Sequence, residues 1–585
     1  MARTDRPTPA PENPDPVAAA EALSGVSRSW WIGAVLVVSV FLAYQPVWFA
    51  GFIWDDDGHL TKAFLRPLSG LALIWGEPGT TQQYYPLTHS LFWLLRRLFD
   101  LEPSAYHLCN IALHATNVLL LWRVLRRLRL PGAALAAAVF ALHPVMVESV
   151  AWISEIKNTL SALLYFCAAL AYLRYDRERR PGHYLPAFLL FLAALFAKTV
   201  TASLPAALLV VFWWQRGRLD WRRDVVPLLP FFAAGAMCGL FTARVEHDII
   251  GASGDDFDFS LVERGLIAGR ALWFYAGKLA WPVDLVFVYP RWDINGADPA
   301  QYAWPIAAVV VGVVLVWLAR RWRGPLAGAL FFGGTLFPVL GFLNVYPFQF
   351  SFVADHFQYL ASLGLIVPVA AGLARLRGIP GVMTGAGAAL VASLGFLTFA
   401  QSRNYADVVA LYTHAIERNP KAMMAHVNLA NLHLMAAQIP EAIEHYQAAI
   451  RLRPRMALLH FDLGTAYALQ GRRPEAIAEF ETTLRLDPGY VKVNLNLGSA
   501  LAEEGRLREA CGYLRVAANL MPGNADARRG LGRALFELGH HAEAVVQLRE
   551  ALRLNPRDPL AKELLQLALG RPYQPEAVRQ GRSSK

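Results

Sequence analysis

Trp54, Asp55, Asp56 and Asp57 follow one another directly after an apolar run, and three carboxylates at the end of a membrane span are not easily dismissed as surface polarity. Acids crowded in a low-dielectric setting resist sharing charge, so one of them can hold a raised pKa and accept a proton, or a pair can hold a divalent cation. A second polar group stands at His143 and Glu148, and a third at Asp355 and His356. Cations suited to phosphate oxygens occur at Lys198, Arg264, Arg270, Lys278 and Arg291. For any one of these the plainer reading is a solvated loop charge or a long side chain reaching for the interface, and for His143 and Glu148 a cap on the following helix.

These residues need elements to hold them, and the chain supplies apolar runs long enough to cross a bilayer. Of 585 residues 55% are hydrophobic and 17 are Trp, and the mean hydropathy of +0.32 is too high for a water-soluble chain of this length. The net charge of +10 is concentrated in short loops between apolar runs, which fits the positive-inside rule and excludes a nucleic-acid-binding surface. Arginines at 123–129, 174–180, 216–223, 320–323 and 375–377 mark cytoplasmic turns. Eleven spans are predicted, at about 30–50, 104–122, 131–148, 159–175, 184–198, 203–215, 225–243, 303–319, 325–343, 357–374 and 382–400. Residues 264–282, interrupted by Arg270 and Lys278, read as an amphipathic or re-entrant element. Residues 1–28 read as a disordered cytoplasmic tail rather than a signal peptide, and 29–403 as the membrane domain. With the N-terminus inside, an odd number of spans puts everything after residue 403 outside, together with the three acidic groups. The four cysteines are scattered and suggest neither a metal cluster nor a disulfide framework.

The remainder is a repeat. Pro420, Pro454, Pro488, Pro522 and Pro556 recur every 34 residues, the tetratricopeptide (TPR) period. Small residues at Ala430, Gly464, Gly498 and Gly532, and alanines at 442, 476, 510 and 544, let paired helices approach, while Tyr446, Phe480, Leu514 and Leu548 fill the space between them. The array is predicted over 404–570, as a half-repeat, four full repeats and a capping helix, with a disordered tail at 571–585. Asn428, Asp462 and Asn496, with Gly530 at the fourth place, share one helical phase and line the concave face. A carboxamide can both donate to and accept from a peptide amide, so the ladder suits a sequence-tolerant peptide groove; the alternative is ordinary polar lining.

The stretch from Gly51 to Asp57 (GFIWDDD), Tyr84 to Thr88 (YYPLT), Tyr106 and His107 with Asn110 and His114, His143 and Pro144 with Glu148, and Val353 to Leu360 (VADHFQYL) recur in this order in one family. The chain resembles the transmembrane-and-TPR O-mannosyltransferase-like proteins, as a bacterial member. The resemblance implies an all-α protein: a polytopic GT-C-like membrane bundle followed by a TPR α-solenoid. It further implies a glycosyltransferase that moves a sugar, mannose or another hexose, from a polyprenyl-phosphate carrier to Ser or Thr of exported proteins in the bacterial inner membrane. The family's acidic pair falls on Asp55 and Asp56, with Asp57 an additional acid, so that the choice of base stays open. Lys198, Arg264, Arg270 and Arg291 become candidate phosphate ligands, His143 and Glu148 sugar-binding or bracing groups, and Asn428, Asp462 and Asn496 the acceptor groove. Where the family often has Asp-Arg this chain has Asp355 and His356, and histidine is largely neutral at pH 7. No cofactor beyond the lipid-linked donor is implied, and a divalent metal is left open. Two alternatives stand beside this reading: the acceptor is an envelope glycan, or the chain is a non-catalytic TPR scaffold on a membrane anchor.

Overall fold

A computed structural model of the chain describes residues 16–62, 66–376 and 380–570. Among these residues the secondary structure is helical, with turns between helices and no strand. The chain divides into two compact units, residues 1–419 and 420–585.

Five helical segments of the first unit are long and apolar enough to cross a bilayer: Pro103–Arg127, Ile153–Glu178, Trp221–Ile250, Pro299–Leu318 and Thr384–Arg403. Ala133–Leu142 and Pro144–Ala151 make a sixth only if the two are counted as one span bent by 56°. Three shorter apolar helices, Trp30–Ala43, Pro181–Ala197 and Leu363–Leu373, occupy other stretches expected to span. The stretches at 203–215 and 325–343 fold as Leu204–Arg216 and Arg323–Leu336. Five or six segments therefore qualify by length and composition, where eleven were expected. Pro299–Leu318 has no residue of its apolar stretch buried within the protein, whereas two thirds of Ile153–Glu178 is buried, so the latter is an inner helix of the bundle.

Residues 264–282 lie largely on a regular 20-residue helix, Leu261–Ala280, that starts at a capping box between Ser260 and Glu263. It buries Leu266, Ile267, Ala271 and Tyr275 on one side. Backbones come close where glycines permit: a Cβ built on Gly364 would lie 2.5 Å from the Gly328 carbonyl oxygen, so Leu363–Leu373 and Arg323–Leu336 cross at a pair of glycines.

The helix Val408–Arg418, expected to open the TPR array, belongs by its contacts to the first unit. The second unit is a succession of paired helices: Met423–Met435 with Ile439–Leu452, Ala457–Leu469 with Arg473–Leu486, Val491–Glu503 with Leu507–Leu520, and Ala525–Glu537 with His541–Leu554, followed by Pro559–Ala568. Ala442, Ala476, Ala510 and Ala544 are completely buried, and a Cβ on Gly464, Gly498 or Gly532 would press on Phe480, Leu514 or Leu548 within 2.6–2.8 Å. Small-against-large packing at a fixed period is thus what stacks the repeats.

Candidate active site

The acidic loop gets its shape from the residue before it. Trp54 has a left-handed backbone, φ 51°, a conformation that an aromatic residue holds only when its surroundings impose it. They do: its amide donates to the Tyr412 hydroxyl at 3.1 Å, and its ring packs edge-on against Phe287 and Phe350. Nearby, His107 of Pro103–Arg127 lies 3.3 Å from the Gly51 carbonyl.

The three aspartates then part company. Asp56 is fully buried; its carboxylate accepts from the Ile53 amide (2.9 Å), the Ser154 amide (2.8 Å) and the Ser154 hydroxyl (2.6 Å). It therefore ties the loop to the break before the helix Ile156–Glu178. Burial and the adjacent Asp55 charge push the Asp56 carboxyl up to about 7, against those hydrogen bonds, which favour the anion. Asp57 is exposed, and its carbonyl accepts from the Thr61 hydroxyl. Asp55 is about one quarter exposed, with Oδ2 3.4 Å from His59 Nε2, while its Oδ1 is buried with no hydrogen-bond partner. Burial raises the Asp55 carboxyl, but the hydrogen bond and charge of His59 and the charge of Lys157 outweigh it and hold the group below the usual aspartate range.

The histidine beside Asp55 is fixed in orientation by a second one. His89 Nδ1 is 3.0 Å from the Tyr85 carbonyl and so must carry its hydrogen there; burial, then the charge of His59, depresses the ring to about 3, leaving Nε2 an acceptor. His59 Nδ1, 3.0 Å from that Nε2, is the donor. His59 Nε2 is left facing the Asp55 carboxylate.

A buried ion cluster adjoins this pair. Glu155 receives Lys157 at 2.8 Å on one oxygen, and Lys198 at 3.1 Å and Asn158 at 2.7 Å on the other. Lys198 also donates to Asn158 Oδ1 at 2.7 Å, and Lys157 to Gln83 at 3.0 Å. Glu148 accepts the His356 amide at 2.9 Å and pairs with His356 Nδ1 at 3.0 Å, and His356 Nε2 is 3.8 Å from Glu155. Asp355 takes hydrogen bonds from the Tyr289 hydroxyl at 3.0 and 3.1 Å; burial and the Glu148 charge push it well above the ordinary aspartate range. Asn110 holds the turn that carries much of this, donating to the carbonyls of Ser149, Val150 and Trp152.

Of the residues singled out in the sequence, Asp55, Asp56, Glu148, Lys198, Asp355 and His356 are thus connected. His143 instead caps its own turn, accepting from the Val145 amide and reaching the Leu279 carbonyl at 3.0 Å. Arg264 donates to the carbonyls of Phe257, Phe259 and Gly341 and to Asn344; Arg270 lies 4.4 Å over the Trp292 ring; Arg291 holds Asp256 and the Phe348 carbonyl. These three brace the loops around them. Sequence reasoning missed His59, His89, Ser154, Glu155 and Lys157. The signal was the polar run from Ser154 to Asn158 between two apolar stretches, which reads as the ordinary start of a helix. Among the described residues no group of three or more His, Cys, Asp or Glu is placed to hold a metal ion.

In the second unit Asn428, Asp462 and Asn496 each lie on the first helix of a repeat and are partly exposed. Burial, eased by Lys492, raises Asp462 to about 6.

Comparison with known proteins finds the repeats over the second unit and the helices just before it. Tetratricopeptide-repeat family models match residues 396–457, 430–491, 461–519 and 501–568. Among curated proteins the chain is 34% identical over 181 residues to protein O-mannosyl-transferase Tmtc1 of Drosophila melanogaster, covering 28% of this chain and 21% of that one. It is 33% identical over 149 residues to TMTC3 of Mus musculus, covering 23% and 16%, and 23% identical over 432 residues to protein O-mannosyl-transferase F38B6.6 of Caenorhabditis elegans, covering 68% and 59%. The matched parts are thus only 21% and 16% of the first two relatives. Among solved structures, the TPR protein YrrB matches at 23% identity and a TM-score of 0.25, over 30% of this chain and 88% of YrrB. The relatives' names, with the repeat matches, support the resemblance to a TMTC-like, transmembrane-plus-TPR family.

Proposed function

We propose that this relative of the TMTC-like proteins is a GT-C-type membrane glycosyltransferase, moving a hexose from a polyprenyl-phosphate carrier to Ser or Thr hydroxyls of exported proteins. In this reading the shorter helices complete a bundle of about eleven spans in a bacterial inner membrane, with the acidic loop and the repeat arm on the periplasmic side. The relatives' names make mannose the first sugar to test. The observation that carries the proposal is Asp55: a carboxylate with a buried, unpartnered oxygen, on a loop pinned by Asp56, beside a buried pair of lysines.

An acceptor hydroxyl donating to Asp55 Oδ1 supplies the missing partner, and a buried acceptor without one costs about 1–3 kcal/mol. As that hydroxyl oxygen bonds to the anomeric carbon, its proton passes to Asp55, and the bond from that carbon to the carrier phosphate breaks with its electron pair on the phosphate. Lys198 and Lys157, held by Glu155, are the cations that meet the departing phosphate. His59 positions Asp55 and takes up part of the proton's charge. Asp56 keeps the loop in register. The reaction as written uses no metal. Asn428, Asp462 and Asn496 hold the acceptor's peptide backbone along the repeat arm.

Glycan mass spectrometry of exported proteins from cells with the wild-type chain, Asp55→Asn or a gene deletion tests this. Hexose on Ser or Thr is expected in the wild type and lost equally in the other two. An unchanged protein profile with altered envelope glycans would move the acceptor to a glycan, and no change in either would sink the enzymatic reading.

A further inference from the structure

The acid cluster lies at one end of two long helices, and a different kind of site lies at the other. On Pro103–Arg127, His107 is beside the acidic loop, and Arg123 and Arg127 come 16 to 20 residues later. At about 1.5 Å per residue that is roughly 24–30 Å, the thickness of the hydrocarbon core. On Ile156–Glu178, Lys157 lies at the cluster and Arg174 near the far end, a similar distance away. These arginines wall a cavity of about 290 Å³ with His183, the first turn of Pro181–Ala197, over a floor that includes Leu120 and Leu170.

Its charge is not balanced. The carboxylate at hand, Glu178, is taken by Arg174 at 3.0 Å and His183 at 2.9 Å. Among the described residues neither Arg123 nor Arg127 makes a hydrogen bond or ion pair with a carboxylate. The neighbouring arginines differ: Arg179 pairs with Asp176, and Arg216 with both Asp176 and Asp224. Basic residues in the last turn of a helix offset its dipole, and loops on the cytoplasmic side are rich in them. Neither effect explains why arginines from two helices, with a histidine from a third, line one concavity with leucines, Arg123 and Arg127 without an acid while Arg179 and Arg216 beside them have one.

We infer that this cavity binds the phosphate of an anionic phospholipid from the leaflet opposite the acidic loop. Guanidinium forks on Arg123, Arg127 and Arg174 match phosphate oxygens in geometry and charge, and the leucine floor accommodates the start of an acyl chain. The lipid phosphate supplies the counter-charge that Arg123 and Arg127 lack, since the one acid beside them bridges Arg174 and His183. This inference does not rest on the glycosyltransferase reading.

The test is the thermal unfolding of the full-length chain in detergent, with phosphatidylglycerol, phosphatidylcholine or sodium phosphate added. Phosphatidylglycerol is expected to raise the Tm by roughly 5 °C and phosphatidylcholine to leave it unchanged. The shift should vanish in Arg123→Gln/Arg127→Gln and persist in Arg320→Gln/Arg321→Gln, which removes two exposed charges elsewhere. Should the first double variant not fold, Arg123→Gln alone, at an exposed position, should lose at least half of the shift. An equal shift in the Arg123 variants, or none in the wild type, overturns the inference. A shift that phosphate alone reproduces makes the ligand a free anion and overturns the lipid.

Discussion

At the scale of single residues, burial separates aspartates that spacing left equivalent. Asp55 carries the unpartnered oxygen and Asp56 the structural hydrogen bonds, so their substitutions should fail differently. Asp55→Asn is expected to lower transfer roughly 10²–10⁴-fold, the usual worth of a positioned base, with unchanged folding. Asp56→Ala should instead lower the yield of folded protein, because the Ser154 and Ile53 donors lose their acceptor. The pH dependence follows from the same carboxyl. Asp56 holds its proton to about 7 in the folded chain, against 3.8 as an ordinary aspartate. Between those values the folded state binds more protons than the unfolded one, so this group's contribution to stability falls as pH rises from about 4 to 7 and is level above that. Wild type in detergent should therefore lose more Tm between pH 5 and pH 8 than Asp56→Asn does, by the equivalent of a few kcal/mol at most. Equal losses would mean that Asp56 is ionised throughout. The cluster was legible as a set of types and not as a set of partners: Asp56 meets a residue 98 positions away and Glu148 one 208 away. Only tertiary folding brings such groups together, and for that reason the polar run 154–158 carries no mark of a site in the sequence.

At the scale of elements, legibility followed periodicity. The repeat arm has one packing rule every 34 residues, and its helices fall where the prolines and small residues put them. The membrane unit has no such rule: stretches expected as spans take the form of a bent pair at 133–151 and of several helices of fewer than 18 residues. One lapse in the repeat makes a prediction. Gly471, Gly505 and Gly539 follow the first helix of successive repeats with φ of 79–85°, but the first repeat has Ala437 there at φ 58°. An alanine costs about 1 kcal/mol more than glycine in that conformation. Ala437→Gly should slow amide hydrogen exchange in Met423–Met435 and Ile439–Leu452 of the full chain by up to about fivefold; faster exchange would show that entropy lost from the unfolded chain dominates. The opposite experiment suits the membrane unit. Gly364→Val puts side-chain atoms into the Gly328 carbonyl and the Phe332 amide, and should cost about 1–3 kcal/mol, read as loss of monodisperse protein on size exclusion in detergent.

At the scale of the whole molecule, function depends on which residues share a side of the membrane. The helix Pro103–Arg127 is 25 residues long, about 37 Å at 1.5 Å per residue, enough to separate the acidic loop from the arginine-walled cavity by a bilayer. If that helix spans, the acidic loop and the cations of the cavity face different compartments, and under the proposed function the donor reaches Asp55 from one leaflet. The proposed orientation puts the arginine-rich turns on the cytoplasmic side, as the positive-inside rule requires. On a background lacking the four native cysteines, single cysteines at Asp57, Arg123 and Lys492, all exposed positions, can be challenged with a thiol reagent that does not cross membranes. Asp57→Cys and Lys492→Cys should react in intact spheroplasts, and Arg123→Cys only after permeabilisation. Reaction of positions 57 and 123 from the same side would mean that Pro103–Arg127 does not span. Reaction of 57 and 492 from opposite sides would place the repeat arm away from the acidic loop. The arm could not then present an acceptor to Asp55, because peptide groove and base would be divided by the membrane.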